Sequence, residues 1–285
     1  MNRLENKVAI VTGGATGIGE AISKKFTKEG AKVMIAGTHK DPVEKVCKAI
    51  KEAGGTAVFF KGDISQADDA KQCIKQTTEE FGHIDILINN AGVFPEIDET
   101  QDYDDAVFDN LIKNNIRSAY IMTKYTLPEL QKTQGVIISA GSEAGRLGIA
   151  KNTPYGGTKG FMHAFMKGVA VEQAAHGVRA NCVCPGAVDT AWTHKESSEM
   201  DEEMEQMLKG ATPMGRRGTP EEMANVYLFL ASDEASFITG GLYFVDGGIT
   251  VSKGPIGEKA HKSFKNAPKA ELDLEFSHAG ATDTR

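Results

Sequence analysis

Short runs of Val, Ile and Leu recur along the chain, each followed by a longer stretch in which apolar residues fall at helical spacing. The runs are Lys7 to Thr12, Lys32 to Gly37, Thr56 to Lys61, Ile84 to Asn89, Val136 to Ala140, Val178 to Cys184 and Leu242 to Val245. Stretches such as Val8-Ala9-Ile10-Val11 are continuously apolar, the pattern of a strand covered on both faces. Strands of that kind alternating with helices predict an α/β fold, a single doubly wound parallel sheet of about seven strands with helices on both faces. Near position 250 the pattern stops. Residues 252–285 contain Gly254, Pro255, Gly257 and Pro268, with one alternating apolar stretch at Leu272, Leu274 and Phe276. The expectation is one compact domain over residues 1–251, followed by a C-terminal extension over 252–285 suited to a subunit interface.

A chain of 285 residues with 40% hydrophobic positions is ordinary for such a domain. The formal charge of -7 leaves no overall positive field to hold nucleic acid or an anionic membrane. No apolar run approaches the ~18 residues of a membrane span, and Met1 to Lys7 is polar rather than the opening of a signal peptide. A cytoplasmic protein is expected. Of the four cysteines, Cys47, Cys73, Cys182 and Cys184, only the last two lie close together, at alternate positions that project from one face of a strand. With no His or further Cys nearby in sequence, they read as small buried core residues and no metal is expected.

The first strand runs into Thr12-Gly13-Gly14-Ala15-Thr16-Gly17-Ile18-Gly19, ahead of a helical stretch from Ile18 to about Glu29. Glycines at 13, 17 and 19 permit a tight turn, a close backbone approach to a pyrophosphate, and close helix-strand packing. The phosphates then sit on unpaired N–H groups at a helix N-terminus, where the helix dipole favours negative charge. Gly13, Thr16, Gly17, Ile18 and Gly19 are therefore candidate dinucleotide contacts. At the end of the second strand, Thr38-His39-Lys40 stands where an NAD-selective site usually has an acid for the ribose 2'-hydroxyl. Without that acid the 2'-phosphate meets no repulsion, and NADP is expected in preference to NAD. Later strand ends supply Asp63 and Ile64 for the adenine, Asn90, Ala91 and Gly92 for the cofactor wall, and Pro185, Gly186, Val188 and Thr190 for the nicotinamide side. Asn89 is expected to tie neighbouring strands together.

Tyr155 and Lys159 are four apart in the helical segment Pro154 to Gln173, on one face about a turn apart. An isolated phenol is a poor acid or base at neutral pH, and an adjacent ammonium favours the phenolate. Ser142, at the end of the fifth strand, can reach the same substrate oxygen; Ser139 is the competing choice and is expected to belong to the strand terminus or the cofactor wall.

Taken together, the chain resembles the short-chain dehydrogenase/reductase family from about Asn6 to Val251. The resemblance is carried by Thr12 to Gly19, Asn89-Asn90-Ala91-Gly92, Ser142 with Tyr155-Gly-Gly-Thr-Lys159, Pro185-Gly186, and Gly215-Arg216 through Asp246-Gly-Gly248. It implies a Rossmann-type sheet and hydride transfer between a nicotinamide and a ketone or secondary alcohol. In that scheme Tyr155 exchanges the proton, Ser142 holds the substrate oxygen, and Lys159 binds the nicotinamide ribose. Asn115, with Asn114 as its alternative, holds a water linking Lys159 to solvent. The resemblance also implies a homotetramer or homodimer acting on a small molecule. The segment from Ala187 to Pro213, with Trp192, His194, Met200, Met204 and Met207, falls where the family has a mobile lid. Trp192, Glu143, Arg146, Phe94 and Pro95 are candidate pocket walls. Gly156 and Gly157 depart from the residues usual before the family Lys and suggest close approach of another backbone or of the cofactor. Two rival readings are a sugar-nucleotide epimerase or dehydratase, disfavoured by chain length and glycine spacing, and a non-catalytic cofactor-binding sensor, disfavoured by the intact Ser, Tyr and Lys.

Overall fold

The computed structural model describes residues 2–94, 98–190, 202–254, 260–265 and 270. Among them, seven parallel strands form one sheet in the order β3-β2-β1-β4-β5-β6-β7. The strands are β1 (Val8–Thr12), β2 (Lys32–Gly37), β3 (Thr56–Lys61), β4 (Ile86–Asn89), β5 (Val136–Ala140), β6 (Arg179–Pro185) and β7 (Leu242–Val245). The helices are α1 (Gly17–Lys28), α2 (Lys40–Glu52), α3 (Ala67–Phe81), α4 (Asp105–Leu111), α5 (Ser118–Thr133), α6 (Thr153–Gln173), α7 (Glu202–Ala211), α8 (Pro220–Ala231) and the short α9 (Lys262–Lys265). The doubly wound sheet expected from the alternating pattern is the one observed. No described helix is long and apolar enough to cross a membrane.

Strand periodicity divides the interior in two. Ile10, Met34, Leu87, Ile137 and Cys182 face one side of the sheet, sharing a core with Ile121, Met122, Met162 and Met166 from α5 and α6. Their neighbours Val11, Ile35, Ile88, Ile138 and Val183 face the other, against Ile22 and Phe26 of α1 and Tyr227 and Leu228 of α8. A one-residue slip in register would exchange these two sets. The registers Ile10↔Met34, Ile10↔Leu87 and Leu87↔Ile137 keep like-facing residues side by side. Full burial of each such side chain contributes about 1.5–3 kcal/mol, which is why the central strands are apolar throughout.

Strand order reverses at β1, which lies between β2 and β4. Connections from β1 and β4 therefore leave in opposite directions, opening a crevice beyond their carboxyl ends, where ligands collect in open α/β sheets. Thr12, Asn89 and Ala140, which end β1, β4 and β5, mark its floor.

Candidate active site

Polar bonds at the switch point hold the glycine turn in place. Thr12 Oγ1 donates to the Ile88 carbonyl at 3.1 Å and accepts from the N–H groups of Asn90 and Ala91 at 3.0 Å each. The Asn90 amide donates to the carbonyls of Thr12 and Gly13 at 3.2 Å each, so its NH2 group braces the turn. Asn89 is buried in β4 and donates to Thr123 Oγ1 at 2.9 Å and Ser139 Oγ at 3.2 Å, joining β4 to α5 and β5. In sequence the signal for this role of Thr12, which the residues expected above do not include, is a hydroxyl-bearing residue at the end of an apolar strand.

The turn itself needs its glycines. Gly13 and Gly17 adopt φ of +61° and +52°, the left-handed region. A Cβ on Gly19 would overlap the Gly13 carbonyl oxygen and come within 2.6 Å of Asn90 Nδ2. Thr16 precedes α1 in extended backbone, and its side chain makes no cap bond. The first-turn N–H groups of Gly17, Ile18 and Gly19 consequently lack an intrahelical carbonyl, the donor set a pyrophosphate requires. These residues fit a dinucleotide. Thr190 approaches from the opposite side, its Cγ2 3.5 Å from where a Gly17 Cβ would lie. Pro185 ends β6, Gly186 donates to the Val245 carbonyl at 3.2 Å, and Val188 is buried in a parallel bridge with Gly218.

At the adenine side, Thr38 is exposed and His39 half-buried at the N-terminus of α2, whose first residue is Lys40. Ile64 is buried after β3. The Asp63 carboxylate accepts from Ser65 Oγ at 2.6 Å and pairs with the Lys113 ammonium at 2.8 Å. Partial burial raises its pKa, but the Lys113 and Ser65 donors outweigh that and hold it below the usual carboxylate range. Lys113 and Asp63 are 50 positions apart, so nothing local in the sequence pairs them.

Ser142, Tyr155, Lys159 and Asn115 gather beside the ends of β4 and β5. Ser142 follows β5 and caps a short 3-10 turn, Glu143–Gly145, by accepting from the Ala144 N–H at 3.2 Å. That turn packs against the start of α6, where a Cβ on Gly156 would lie 2.8 Å from the Ala144 carbonyl oxygen. Close backbone approach accounts for Gly156; a Cβ on Gly157 would meet nothing within 4 Å. The Tyr155 ring stands edge-on to Phe94 with centroids 4.9 Å apart. Lys159 is buried one turn later, donates to the Ala140 carbonyl at 3.2 Å, and holds its ammonium 5.4 Å from the Tyr155 ring centroid.

Asn115 lies in a π-helical segment, Ile112–Arg117, between α4 and α5. It is buried, accepts from the Val93 N–H at 2.7 Å, and donates to the Val93 carbonyl at 3.0 Å and Thr158 Oγ1 at 3.2 Å. A Cβ on Gly92 would come 3.1 Å from Asn115 Oδ1 and 3.8 Å from Lys159 Nζ, so the three residues adjoin. Asn114 instead bonds back to Asn110, one turn earlier in α4. Ser139 is fully buried, between the Asn89 amide and Met166 Sδ.

Glu143 is 9% exposed, and its Oε2 finds no hydrogen-bond partner. Burial first, and then the nearby Asp246 carboxylate, push its carboxyl up to about 7. In sequence it stands out only by following Ser142. Arg146 stacks over the Phe244 ring at 5.1 Å. Of the lid segment, Met207 is exposed on α7, whereas Trp192, His194, Met200, the wall residue Pro95 and the tail residues Leu272, Leu274 and Phe276 lie outside the described residues.

A parallel sheet with a glycine turn at its switch point and a Ser, Tyr, Lys and Asn group beside it is the architecture of a dinucleotide-dependent oxidoreductase. A family model described as enoyl-(acyl carrier protein) reductase matches residues 13–250. An uncharacterized oxidoreductase, YxbG, of Bacillus subtilis is 39% identical over 253 residues, 87% of this chain and 93% of the relative. The L-fucose dehydrogenase of Mus musculus is 35% identical over 265 residues, covering 92% of this chain and 94% of its own. The crystal structure of gox2181 superposes with a TM-score of 0.84 at 31% identity, over 88% of this chain and 98% of that one. The chain belongs to the short-chain dehydrogenase/reductase family of NAD(P)-dependent oxidoreductases.

Proposed function

We propose that the protein interconverts a secondary alcohol and a ketone with NADP(H), using Tyr155 as the general acid and base. The observation that carries this reading is the buried Lys159 ammonium, fixed by the Ala140 carbonyl at 3.2 Å and held 5.4 Å from the Tyr155 ring centroid. Positive charge there stabilises the negative charge that develops on the phenolic oxygen as its proton leaves. Phe94 packs edge-on against the ring from its side. Ser142, anchored by its own turn, holds the substrate oxygen against Tyr155. Asn115 fixes the Val93 backbone beside Lys159 and would hold the water that links Lys159 to solvent.

Gly13, Thr16, Gly17, Ile18 and Gly19 would hold the pyrophosphate, Asp63 and Ile64 the adenine, and Asn90, Ala91 and Gly92 the wall; Pro185, Gly186, Val188 and Thr190 would hold the nicotinamide end. Bound there, the nicotinamide supplies or takes the hydride at C4. Thr38, His39 and Lys40, with no acid among them, support NADP over NAD. A small hydroxylated substrate such as a sugar is supported by the mouse relative named L-fucose dehydrogenase, and by the buried Glu143 carboxyl next to Ser142. Exposed apolar side chains at Tyr120 of α5, Val171 of α6, Phe237 and Val251 support a homotetramer or homodimer.

Titration of the purified protein with NADPH and NADH, followed by cofactor oxidation against a panel of ketones, sugars and acyl thioesters, tests the reading. Tighter NADPH binding and turnover of a carbonyl substrate are expected. Tighter NADH binding overturns the cofactor assignment, and a panel with no turnover despite nucleotide binding overturns the catalytic one.

A further inference from the structure

Behind the Ser142 loop, on the face of the sheet covered by α6, three soft donors meet. Cys182 and Cys184 alternate along β6 and project to the same side. His163 arrives from α6, 21 positions before Cys184. Its Nε2 lies 3.2 Å from Cys184 Sγ, which lies 3.9 Å from Cys182 Sγ, and the three atoms are all within 4.8 Å of one another. Both sulfurs are fully buried and the imidazole nearly so. On the remaining side stands Gly141, where a Cβ would lie 2.8 Å from Cys182 Sγ, 2.8 Å from His163 Nε2 and 2.9 Å from Cys184 Sγ. The donors thus converge on one spot that only a glycine leaves open.

A tetrahedral zinc ion with bonds of ~2.3 Å to sulfur and ~2.0–2.1 Å to nitrogen has sulfur-sulfur edges of ~3.8 Å and sulfur-nitrogen edges of ~3.6 Å. The observed Cys184–Cys182 edge of 3.9 Å and Cys184–His163 edge of 3.2 Å are within a few tenths of an ångström of those lengths, and the third edge, His163 to Cys182, is no longer than 4.8 Å. We propose that His163, Cys182 and Cys184 form a three-donor site for Zn2+, pinning β6 to α6 directly beneath Gly141 and Ser142.

Charge and chemistry agree with this occupant. Two thiolates and a neutral imidazole cancel the charge of Zn2+, so no net charge is buried. Thiolate ligands select zinc over the oxygen-preferring Mg2+ and Ca2+. Binding of the ion displaces the thiol protons to solvent. A cavity of about 570 Å3, lined by His163, Gly145, Arg146, Gly160, Lys167 and Phe244 among others, opens beside the imidazole.

The test uses the full chain, stripped with a chelator, reloaded with Zn2+ or Co2+ and desalted. One equivalent of zinc is expected to remain, with a raised thermal transition. The cobalt form should show thiolate-to-cobalt charge transfer and the strong visible bands of a tetrahedral site. Cys182→Ala and Cys184→Ala should each lose the retained ion and the charge-transfer band, and Cys47→Ser should keep both. Wild-type protein that retains no metal, or whose cobalt form lacks thiolate charge transfer, overturns the proposal. So does retention unchanged in both alanine variants. If those variants fail to fold, the wild-type cobalt spectrum alone decides.

Discussion

Replacing Glu143 by Gln should stabilise the protein in mildly alkaline solution and not in acid. Its carboxyl is buried beside Asp246, whose own oxygens are occupied by Gly248 and Thr250 donors, and Glu143 Oε2 has no partner. Burial and that neighbour raise its pKa from the usual 4.5 to about 7. In an unfolded chain the group titrates near its usual value. Between those two values the folded state keeps a proton that the unfolded state has released, so stability falls as pH rises through this window, by ~1.36 kcal/mol per unit at most. The full penalty, reached above the folded-state pKa, is about 3 kcal/mol. Gln has the same shape and no charge at either extreme. Burying its amide costs the same at both pH values, so the change in ΔΔG between them carries the claim. Urea unfolding of wild type and Glu143→Gln without nucleotide, near pH 4.5 and pH 8.5, measures it. The variant should gain about 2–3 kcal/mol in relative stability between the acid and alkaline conditions. An equal ΔΔG at both pH values, or a larger gain in acid, refutes the reasoning.

Gly19→Ala places a Cβ on the Gly13 carbonyl oxygen and must displace the turn; nucleotide affinity, measured by fluorescence titration, should fall at least ~10-fold, about 1.4 kcal/mol, while the thermal transition moves little. Asn115→Ala leaves the Val93 N–H and carbonyl without their buried partners, at a cost of about 2–4 kcal/mol in denaturant unfolding. A smaller loss would mean that water replaces the amide, and activity should then be spared as well. Thr12→Val removes the hydroxyl that bonds Ile88, Asn90 and Ala91. The N–H groups it leaves unpaired should lower stability by about 1–3 kcal/mol and weaken nucleotide binding with it.

The strands were legible because burial on both faces forces runs of Val, Ile and Leu that no surface segment needs. Leu87 and Ile88 face opposite cores, yet both must be apolar. Boundaries moved by a residue or two where polar groups take over. Ile84 to Asn89 narrows to Ile86–Asn89 because Asp85 directs its carboxylate to the Val8 N–H and the His83 ring. The glycine turn was readable because its φ values exclude other residues. Far less legible was anything created by contacts across the fold. Nothing local in Lys113-Asn114-Asn115 distinguishes the Asn that bonds Val93 from the one that bonds Asn110. Nothing near Cys182 and Cys184 in sequence announces His163, because a helix and a strand meet there only after the sheet has formed. Glu143 reads as a candidate pocket wall in sequence, but nothing local announces the Gly186 and Asp246 groups that close over its carboxyl.

Substitution of Tyr155 by Phe tests the central claim most directly, since it removes one hydroxyl and keeps the ring against Phe94 and beneath the Lys159 ammonium. Steady-state turnover should fall at least ~10²-fold, with NADPH affinity and thermal stability close to wild type. Near-full turnover in that variant would contradict the account, because the proton would then have to come from another group.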